Sequence, residues 1–108
     1  MREEDLELPA FGAVRCRWAQ TPWERARGLI GRPPPEPGTV MGFRRCNAIH
    51  TFFMGYPIDA TFLDRDGRPV RTVRDIPPWR PLVWGGFRAR SVLETCSRGL
   101  PTPMSPGR

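Results

Sequence analysis

The fold of this chain is decided by the stretch "HTFFMGYPIDATFLDRDG", residues 50–67. From Ile58 to Leu63, apolar and polar side chains alternate with the period of a β-strand. The alternation places Ile58, Ala60 and Phe62 on one face and Asp59, Thr61 and Leu63 on the other. A hairpin turn is predicted at residues 64–67, "DRDG", because Asp and Gly tolerate the left-handed conformations that such turns require. The return strand is therefore expected over about residues 70–75.

Further strands are predicted on both sides of this hairpin. Upstream, a strand is expected in "FGAVRCRWA", with its inward residues at Phe11, Ala13, Cys16 and Trp18, and a second at residues 39–43. Downstream, a closing strand is expected in "FRARSVLE", where Val92 and Leu93 reach the core. The 14 prolines and 11 glycines indicate many turns and few long helices.

One short helix is predicted in "TPWERARGLIGR", residues 21–32. Thr21 can cap the first turn, Pro22 suits the first helical position, and Glu24 can return a hydrogen bond to the cap. The glycines at 28 and 31 and the prolines that follow end the helix. Its inward residues are expected to be Trp23, Ala26 and either Leu29 or Ile30.

These elements predict a mainly β fold, or an α+β fold with little helix, in the form of a compact sandwich-like or barrel-like domain. Residues 1–9 are polar and acidic, which predicts a flexible N-terminal segment, and residues 10–95 are expected to form a single β-rich domain. Residues 96–108 are proline-rich and predict an irregular tail. The acidic N-terminus does not have the pattern of a signal peptide, and no stretch nears the ~18 apolar residues of a membrane span, so a cytoplasmic, soluble protein without membrane contact is expected.

The charge and cysteine content narrow the expected partners. The formal net charge is +6, but all 17 basic residues are Arg and are spread along the chain, with Arg44 and Arg45 the only adjacent pair, which does not favour nucleic acid as a partner. Three cysteines without a C-x-x-C pair predict ordinary thiols and no metal site. Neither phosphate-binding glycine motif occurs, so no cofactor is predicted.

Candidate catalytic residues are His50, Asp59 and Glu94. The single histidine is a candidate general base, and either carboxylate would be able to orient it. Asp59 lies between apolar neighbours in its strand, where an ionised carboxylate requires a partner. The natural partners are Arg25 and Arg32, whose guanidinium groups can bind a carboxylate through two hydrogen bonds. Glu94 is expected to be exposed near the end of its strand.

A ligand groove is also predicted. Its expected walls are Phe53, Tyr56 and Trp79, and its polar anchors are Asp59, Arg25 and Arg32. Trp79 and Trp84 lie in proline-bounded loops that are able to present a ring with little loss of entropy. The sequence therefore favours a binding or accessory module for an unknown small ligand or protein partner over an enzyme. The alternatives are a hydrolase-like enzyme using His50 with Asp59 or Glu94, and weak nonspecific nucleic-acid binding.

The order of motifs resembles the family known as domain of unknown function 192. The resemblance rests on "WAQTPWERARGLIGR", "GTVMGF", "HTFFMGYPIDATFLDRDGRPV" and "ARSVLE", and covers about residues 14–95. It implies a compact β-rich domain and no established activity. Ile30 replaces the usual Met, and Gly55 stands where relatives commonly carry a basic residue.

The end of the chain departs from the family pattern. Residues 95–108 read "TCSRGLPTPMSPGR", where the family continues to a Gly-Asp closing strand. Prolines at 101, 103 and 106 are incompatible with a central strand. We therefore expect residues 95–108 to be irregular and the last strand to be missing. A frameshift in the coding sequence would explain this tail, and the DNA sequence would test it.

Overall fold

The computed structural model describes residues 1–8 and 12–97. In this part of the chain, eight strands and one helix are formed. They are β1 Arg2–Leu8, β2 Gly12–Trp18, α1 Pro22–Arg27, β3 Thr39–Arg44, β4 Ala48–Ile49, β5 Ile58–Leu63, β6 Pro69–Ile76, β7 Val83–Trp84 and β8 Ser91–Cys96. The prediction of a mainly β fold with one short helix is confirmed.

Six of the strands form one mixed sheet in the order β1-β2-β3-β8-β5-β6, and β4 pairs with β7 separately. The neighbours β2 and β3 are parallel, and the other neighbours in the large sheet are antiparallel. The edge strands of the described sheet, β1 and β6, do not pair with each other, so this sheet is not a closed barrel. The strand β8 lies inside the sheet, between β3 and β5.

The strand β5 is buried along its whole length. The predicted alternation is confirmed, because Ile58, Ala60 and Phe62 belong to the larger apolar cluster and Leu63 belongs to a smaller one. The larger cluster includes residues of the helix-side turn and the loops, and the smaller one includes Val14, Cys16, Trp18 and Leu93. Both faces of β5 are therefore covered.

The predicted cap of the helix is confirmed. The Glu24 amide donates to the Thr21 hydroxyl over 3.0 Å, and the Thr21 amide donates to the Glu24 carboxylate over 3.2 Å. The predicted inward face is wrong for Trp23 and Ala26, because both are exposed and Trp23 is 72% exposed. It is confirmed for Leu29, which is buried in the turn after the six-residue helix.

The burial pattern of β2 differs in part from the prediction, and its contact with Gly42 of β3 was not predicted. The inward residues of β2 are Val14, Cys16 and Trp18, so the prediction is confirmed for Cys16 and Trp18 and wrong for Ala13, which is exposed. The prediction for Phe11 lies outside the described residues. The parallel neighbour Gly42 contacts the Trp18 ring so closely that an added Cβ would lie 2.5 Å from Trp18 Cε3. A side chain at position 42 would therefore push Trp18 out of its place.

Both predicted ends of the domain need correction. The N-terminal segment, predicted to be flexible, forms β1 along its residues 2–8, because Leu6 and Leu8 pack against the smaller apolar cluster while Glu3, Asp5 and Glu7 are exposed. The predicted irregular tail begins too early, because Thr95 and Cys96 pair with Asp59 and Ile58 within β8. The predictions for residues 98–108, including the missing strand and the frameshift, lie outside the described residues.

No helix in the described part of the chain is long and apolar enough to cross a membrane.

Candidate ligand-binding site

A cavity of about 120 Å³ lies over the β8 strand and ends at the helix. We call it the Glu94 cavity. Its apolar walls include Leu29, Ile30, Phe43, Ile49 and Met54. Its polar lining residues include Arg25, Cys46, His50 and Glu94. The cavity thus combines an apolar wall with a few polar groups, which is typical of small-ligand sites.

Glu94 is the buried acid of this cavity. It lies in the interior strand β8, opposite Met41 of β3 and Ala60 of β5, and is 7% exposed. No hydrogen bond or ion pair to its carboxyl is found within residues 1–8 and 12–97. Burial raises the pKa of Glu94 to about 8, so the carboxyl is mostly protonated at neutral pH. The prediction that Glu94 is exposed is wrong, because β8 continues beyond it and is covered on both sides.

Cys46 lines the same cavity as Glu94 and Arg25, and both of them influence its thiol electrostatically. The Cys46 thiol donates a hydrogen bond to the Ala48 carbonyl over 3.1 Å. Burial raises the pKa of Cys46, the Glu94 charge raises it further, and Arg25 opposes the rise. The thiol therefore remains protonated near neutral pH and is a poor nucleophile.

His50 lies at the exposed side of the Glu94 cavity. Its Nδ1 accepts a hydrogen bond from the Phe52 amide over 3.1 Å. In the neutral ring the proton is therefore on Nε2, which remains available as a donor. The structure thus brings two of the three candidate catalytic residues, His50 and Glu94, to one cavity.

Tyr56 carries a second unsatisfied polar group near this site. Its hydroxyl is buried and has no hydrogen-bond partner among the described residues. Burial raises the pKa of Tyr56, Cys96 and Glu94 raise it further, and Arg32 opposes the rise. The electrostatic influence of Glu94 on this hydroxyl shows that the two groups lie in one neighbourhood.

An exposed aromatic cluster stands beside His50. We define it as Phe52, Phe53 and Trp79. The Phe53 and Trp79 ring centroids are 4.8 Å apart with an edge-to-face geometry, and the Phe52 and Trp79 centroids are 6.2 Å apart. Phe53 and Trp79 are 67% and 58% exposed, and both have left-handed backbones, with φ of 63° and 69°. Such φ values are strained for bulky residues, and strain of this kind is commonly found at binding sites.

Thr51 holds the two loops of the aromatic cluster together. Its hydroxyl donates to the Pro77 carbonyl over 2.6 Å and accepts from the Arg80 amide over 2.8 Å. Its backbone carbonyl accepts from the Trp79 amide over 2.8 Å, and its amide donates to the Arg80 carbonyl over 2.9 Å. Because Thr51 is fully buried, these four hydrogen bonds fix the loop of Phe52 and Phe53 against the loop of Trp79.

Asp59 lies elsewhere and stabilises a bulge. The register pairs Ile58 with Ile76 and Ala60 with Val73, so Asp59 faces both Arg74 and Asp75. Asp75 is left-handed, with φ of 54°, and its amide donates to the Asp59 carboxylate over 2.8 Å. The Arg74 guanidinium lies 3.4 Å from the other carboxylate oxygen. Burial raises the pKa of Asp59, and the Asp75 amide and Arg74 oppose that rise.

The predicted partners of Asp59 are therefore wrong. The mate is Arg74, from the neighbouring strand, and not Arg25 or Arg32 from the helix region. Arg25 lines the Glu94 cavity, and Arg32 donates to the Gly28 carbonyl over 2.9 Å. The neighbouring strand β6 supplies a closer partner than the helix does, because the bulge brings Arg74 opposite the carboxylate.

The six predicted groove residues thus separate into three places. Phe53 and Trp79 contact each other in the aromatic cluster, Tyr56 lies near Glu94 and Arg32, and Arg25 lines the cavity. Asp59 does not line that cavity. The sequence prediction did not include Cys46, which lines the cavity, or Thr51, which joins the two loops of the aromatic cluster. No cluster of three metal-binding side chains is found in the residues the structure describes.

A comparison with protein families identifies the family of the chain. The model of domain of unknown function 192, described as "Uncharacterized ACR", matches residues 7–99. The chain belongs to this family. The resemblance read from the sequence motifs is confirmed, and the match includes Glu94, His50 and the aromatic cluster.

Two solved structures share the fold of this family member. A protein of unknown function from Novosphingobium aromaticivorans has a TM-score of 0.70 and 22% identity, covering 80% of this chain and 66% of its own. A candidate transcription regulator from Sinorhizobium meliloti has a TM-score of 0.70 and 21% identity, covering 79% of this chain and 70% of its own. At these identities the likeness shows the fold alone. Among curated proteins, no sequence is significantly similar.

Proposed function

We propose that this member of the family is a binding module for a small ligand with a carboxylic acid or amide head group. The head group enters the Glu94 cavity, and the aromatic cluster covers the remainder of the ligand. The observation that carries the proposal is the Glu94 carboxyl, buried inside the sheet without a partner in the described residues and directed to a cavity.

A carboxyl that is only 7% exposed and has no hydrogen bond from the described residues destabilises a fold, because it loses most of its hydration without gaining a protein partner. At neutral pH the Glu94 carboxyl offers one O–H donor and one carbonyl acceptor, since its pKa is raised to about 8. An amide has the complementary acceptor and donor in the same planar arrangement, and the carboxylate form of a carboxylic acid accepts the Glu94 O–H. Arg25 at the cavity adds a positive charge that favours a carboxylate.

The size of the Glu94 cavity matches a small head group. Its volume is about 120 Å³, and an apolar cavity of roughly 150 Å³ is known to take up benzene. The exposed rings of Phe53 and Trp79 are fixed by the loop contacts of Thr51, so little conformational entropy is lost when a ligand stacks on them. A ligand that joins a polar head group to an aromatic or apolar body fits both features.

The proposal is tested by titrating phenylacetamide and phenylacetate into the protein and measuring affinity by NMR between pH 6.5 and pH 9. Ionisation of Glu94 removes its donor and adds a negative charge, so the affinity for both probes falls by about tenfold over this range. The Glu94→Gln variant no longer shows that pH dependence for the amide. The exposed Glu36→Gln variant serves as the control and behaves as the wild type does.

If the probes do not bind, or if Glu94→Gln keeps the pH dependence of the wild type, the proposal is refuted. Chemical shift changes confined to residues remote from Phe53, Trp79 and Glu94 would also contradict it.

A second candidate is the hydrolase-like enzyme using His50 with Glu94. It is favoured by one observation, that both residues line the same cavity. Its version with Asp59 has no such support, because Asp59 is engaged at the bulge. The enzyme requires the His50→Gln variant to lose activity on ester substrates, whereas the binding module requires that variant to retain its affinity for phenylacetamide.

The cytoplasm is the proposed location. The three cysteines, Cys16, Cys46 and Cys96, are free thiols, which suits a reducing compartment. Nonspecific nucleic-acid binding stays a prediction, for which a steep fall of affinity with salt is the test.

A further inference from the structure

A second cavity, of about 390 Å³, lies between the start of the helix and the end of β3. We call it the arginine pocket. Its cationic lining residues are Arg2, Arg25, Arg44 and Arg45, and its other lining residues are Trp18, Ala19 and Gln20. The arginine pocket and the Glu94 cavity share only one lining residue, Arg25.

The positive charge of the arginine pocket is not balanced by the described residues. No carboxylate lines it, and the nearby acids already have partners. Glu4 lies 3.7 Å from Arg2, and Glu24 accepts from the Met1 amino group, the Gln20 amide and the Thr21 amide. In the described part of the chain, the guanidinium groups of Arg25 and Arg45 have no hydrogen bond or ion pair. With Arg2 paired to Glu4, the charges of Arg25, Arg44 and Arg45 around one cavity repel each other unless an anion lies between them.

The backbone at the end of β3 contributes to this concentration of charge. Adjacent strand residues normally face opposite sides of a sheet. Arg45 is left-handed, with φ of 53°, and both Arg44 and Arg45 line the same cavity. An uncommon backbone conformation for a non-glycine residue thus accompanies the placement of two guanidinium groups on one site.

Trp18 gives an independent indication of a ligand. It is 4% exposed and lines the pocket, and its indole N–H is buried with no acceptor among the described residues. The Arg44 guanidinium carbon lies 4.0 Å from the centre of the Trp18 ring, which fixes that guanidinium beside the pocket. Buried donors in native proteins almost always have an acceptor, from the protein, from ordered water or from a ligand, so the Trp18 N–H is a candidate donor to a ligand in this pocket.

We propose that the arginine pocket binds a small molecule that carries a phosphate group. A phosphate has several acceptor oxygens, and a guanidinium group binds it through paired hydrogen bonds. A carboxylate has only two oxygens and can therefore pair with fewer guanidinium groups at once. The indole N–H of Trp18 provides a neutral donor to the same oxygens. The inference goes beyond the proposed function, because Glu94 and the aromatic cluster take no part in it.

The test uses inorganic phosphate and pyrophosphate, titrated into the whole chain at constant ionic strength. Calorimetry gives the affinity, and the indole ¹H–¹⁵N signal of Trp18 reports whether the ligand reaches the buried donor. Saturable binding with a shift of that signal is expected, and Arg44→Gln and Arg45→Gln each weaken the affinity by about tenfold, which is the loss of one charge-assisted hydrogen bond.

The matched control is Arg65→Gln, which removes the same charge from the hairpin turn, far along the sequence from the pocket residues. It is expected to leave the affinity unchanged. Equal losses in Arg65→Gln and Arg45→Gln would show that only the net charge matters, and would overturn the proposal. An unmoved Trp18 signal or the absence of saturation would overturn it as well. Because Arg45 is exposed, its variant is expected to fold, which unchanged far-UV circular dichroism confirms.

The experiment distinguishes the failure of this proposal from the failure of the proposed function at the Glu94 cavity. The Glu94→Gln variant keeps its affinity for pyrophosphate if the two sites are independent, and loses affinity only for phenylacetamide.

Discussion

Glu94 and Asp59 are two buried carboxyl groups with opposite roles. Asp59 is satisfied by the Asp75 amide and faces Arg74, so its role is the stabilisation of the β6 bulge. Glu94 is buried to a similar degree but has no partner in residues 1–8 and 12–97. A buried group that stabilises nothing within its own chain is most simply explained by a binding partner, which is why the proposed site centres on Glu94.

The raised pKa of Glu94 predicts a pH-dependent stability. In the unfolded chain this carboxyl ionises near its ordinary pKa of 4.5, and in the folded chain near about 8. Between these values the folded state holds a proton that the unfolded state has released, so the free energy of unfolding falls as the pH rises, by at most about 1.4 kcal/mol per pH unit. Urea denaturation at pH 5, 6.5 and 8 should show this fall in the wild type and a weaker one in Glu94→Gln.

Other titrating groups are shared by the two proteins, so the difference between them isolates Glu94. The exposed Glu36→Gln variant should follow the wild type. Parallel pH profiles for the wild type and Glu94→Gln would contradict the assignment of a partnerless acid.

At the scale of the elements, the loops do more for the candidate site than the strands do. The aromatic cluster stands on two loops that have no regular structure, and Thr51 joins them through its buried hydroxyl and backbone. The strands β4 and β7 flank these loops and pair with each other apart from the main sheet. The site is therefore positioned by a small number of specific hydrogen bonds.

The Thr51→Val variant is expected to separate the two loops. It removes the hydroxyl that bonds Pro77 and Arg80 while keeping the shape of the side chain, and the loss of these two hydrogen bonds destabilises the protein by about 1–3 kcal/mol. Near-UV circular dichroism should lose the signal of the packed Trp79 ring.

Thr51→Ser keeps the hydroxyl and is the matched control. It should retain the Trp79 signal, even if the loss of a buried methyl group lowers the stability by about 0.8 kcal/mol. A Thr51→Val protein with unchanged Trp79 ellipticity would show that the loops hold their geometry without this contact.

Local signals in the sequence predicted the local elements well. The cap of the helix, the turn at residues 64–67 and the alternation in β5 depend on neighbouring residues, and all three occur. What depends on distant pairing was not predictable. The partner of Asp59 is set by a bulge in the neighbouring strand, and the burial of Glu94 is set by the place of β8 between β3 and β5. The pairing of strands decides both the partner of Asp59 and the burial of Glu94. The alternation of residues along a single strand does not show which strands lie beside it.

At the scale of the whole molecule, the sheet joins distant parts of the described chain. The N-terminal strand β1 pairs along seven residues with β2, and Leu8 is 5% exposed. Although the residues of β1 are mostly charged, its apolar residues contribute to the smaller cluster. We therefore infer that residues 2–8 belong to the cooperative unit and do not fray from it.

The Leu8→Ala variant tests this inference. Removing a buried leucine from a packed cluster should lower the free energy of unfolding by about 2–3 kcal/mol, measured by urea denaturation. The control is Leu82→Ala, at a residue 64% exposed, where a change within about 0.5 kcal/mol is expected. Equal small effects at both positions would mean that the N-terminal segment unfolds independently.

The position of β8 has a consequence for how the protein is made. It is the last strand in the described part of the chain, yet it lies between β3 and β5 inside the sheet. We infer that during translation the strands before it form two partial sheets, each with an open inner edge, which are joined only when residues 91–96 emerge. The strand that closes this gap also carries Glu94, so the nascent protein gains its central strand and its candidate ligand-binding acid in a single late event.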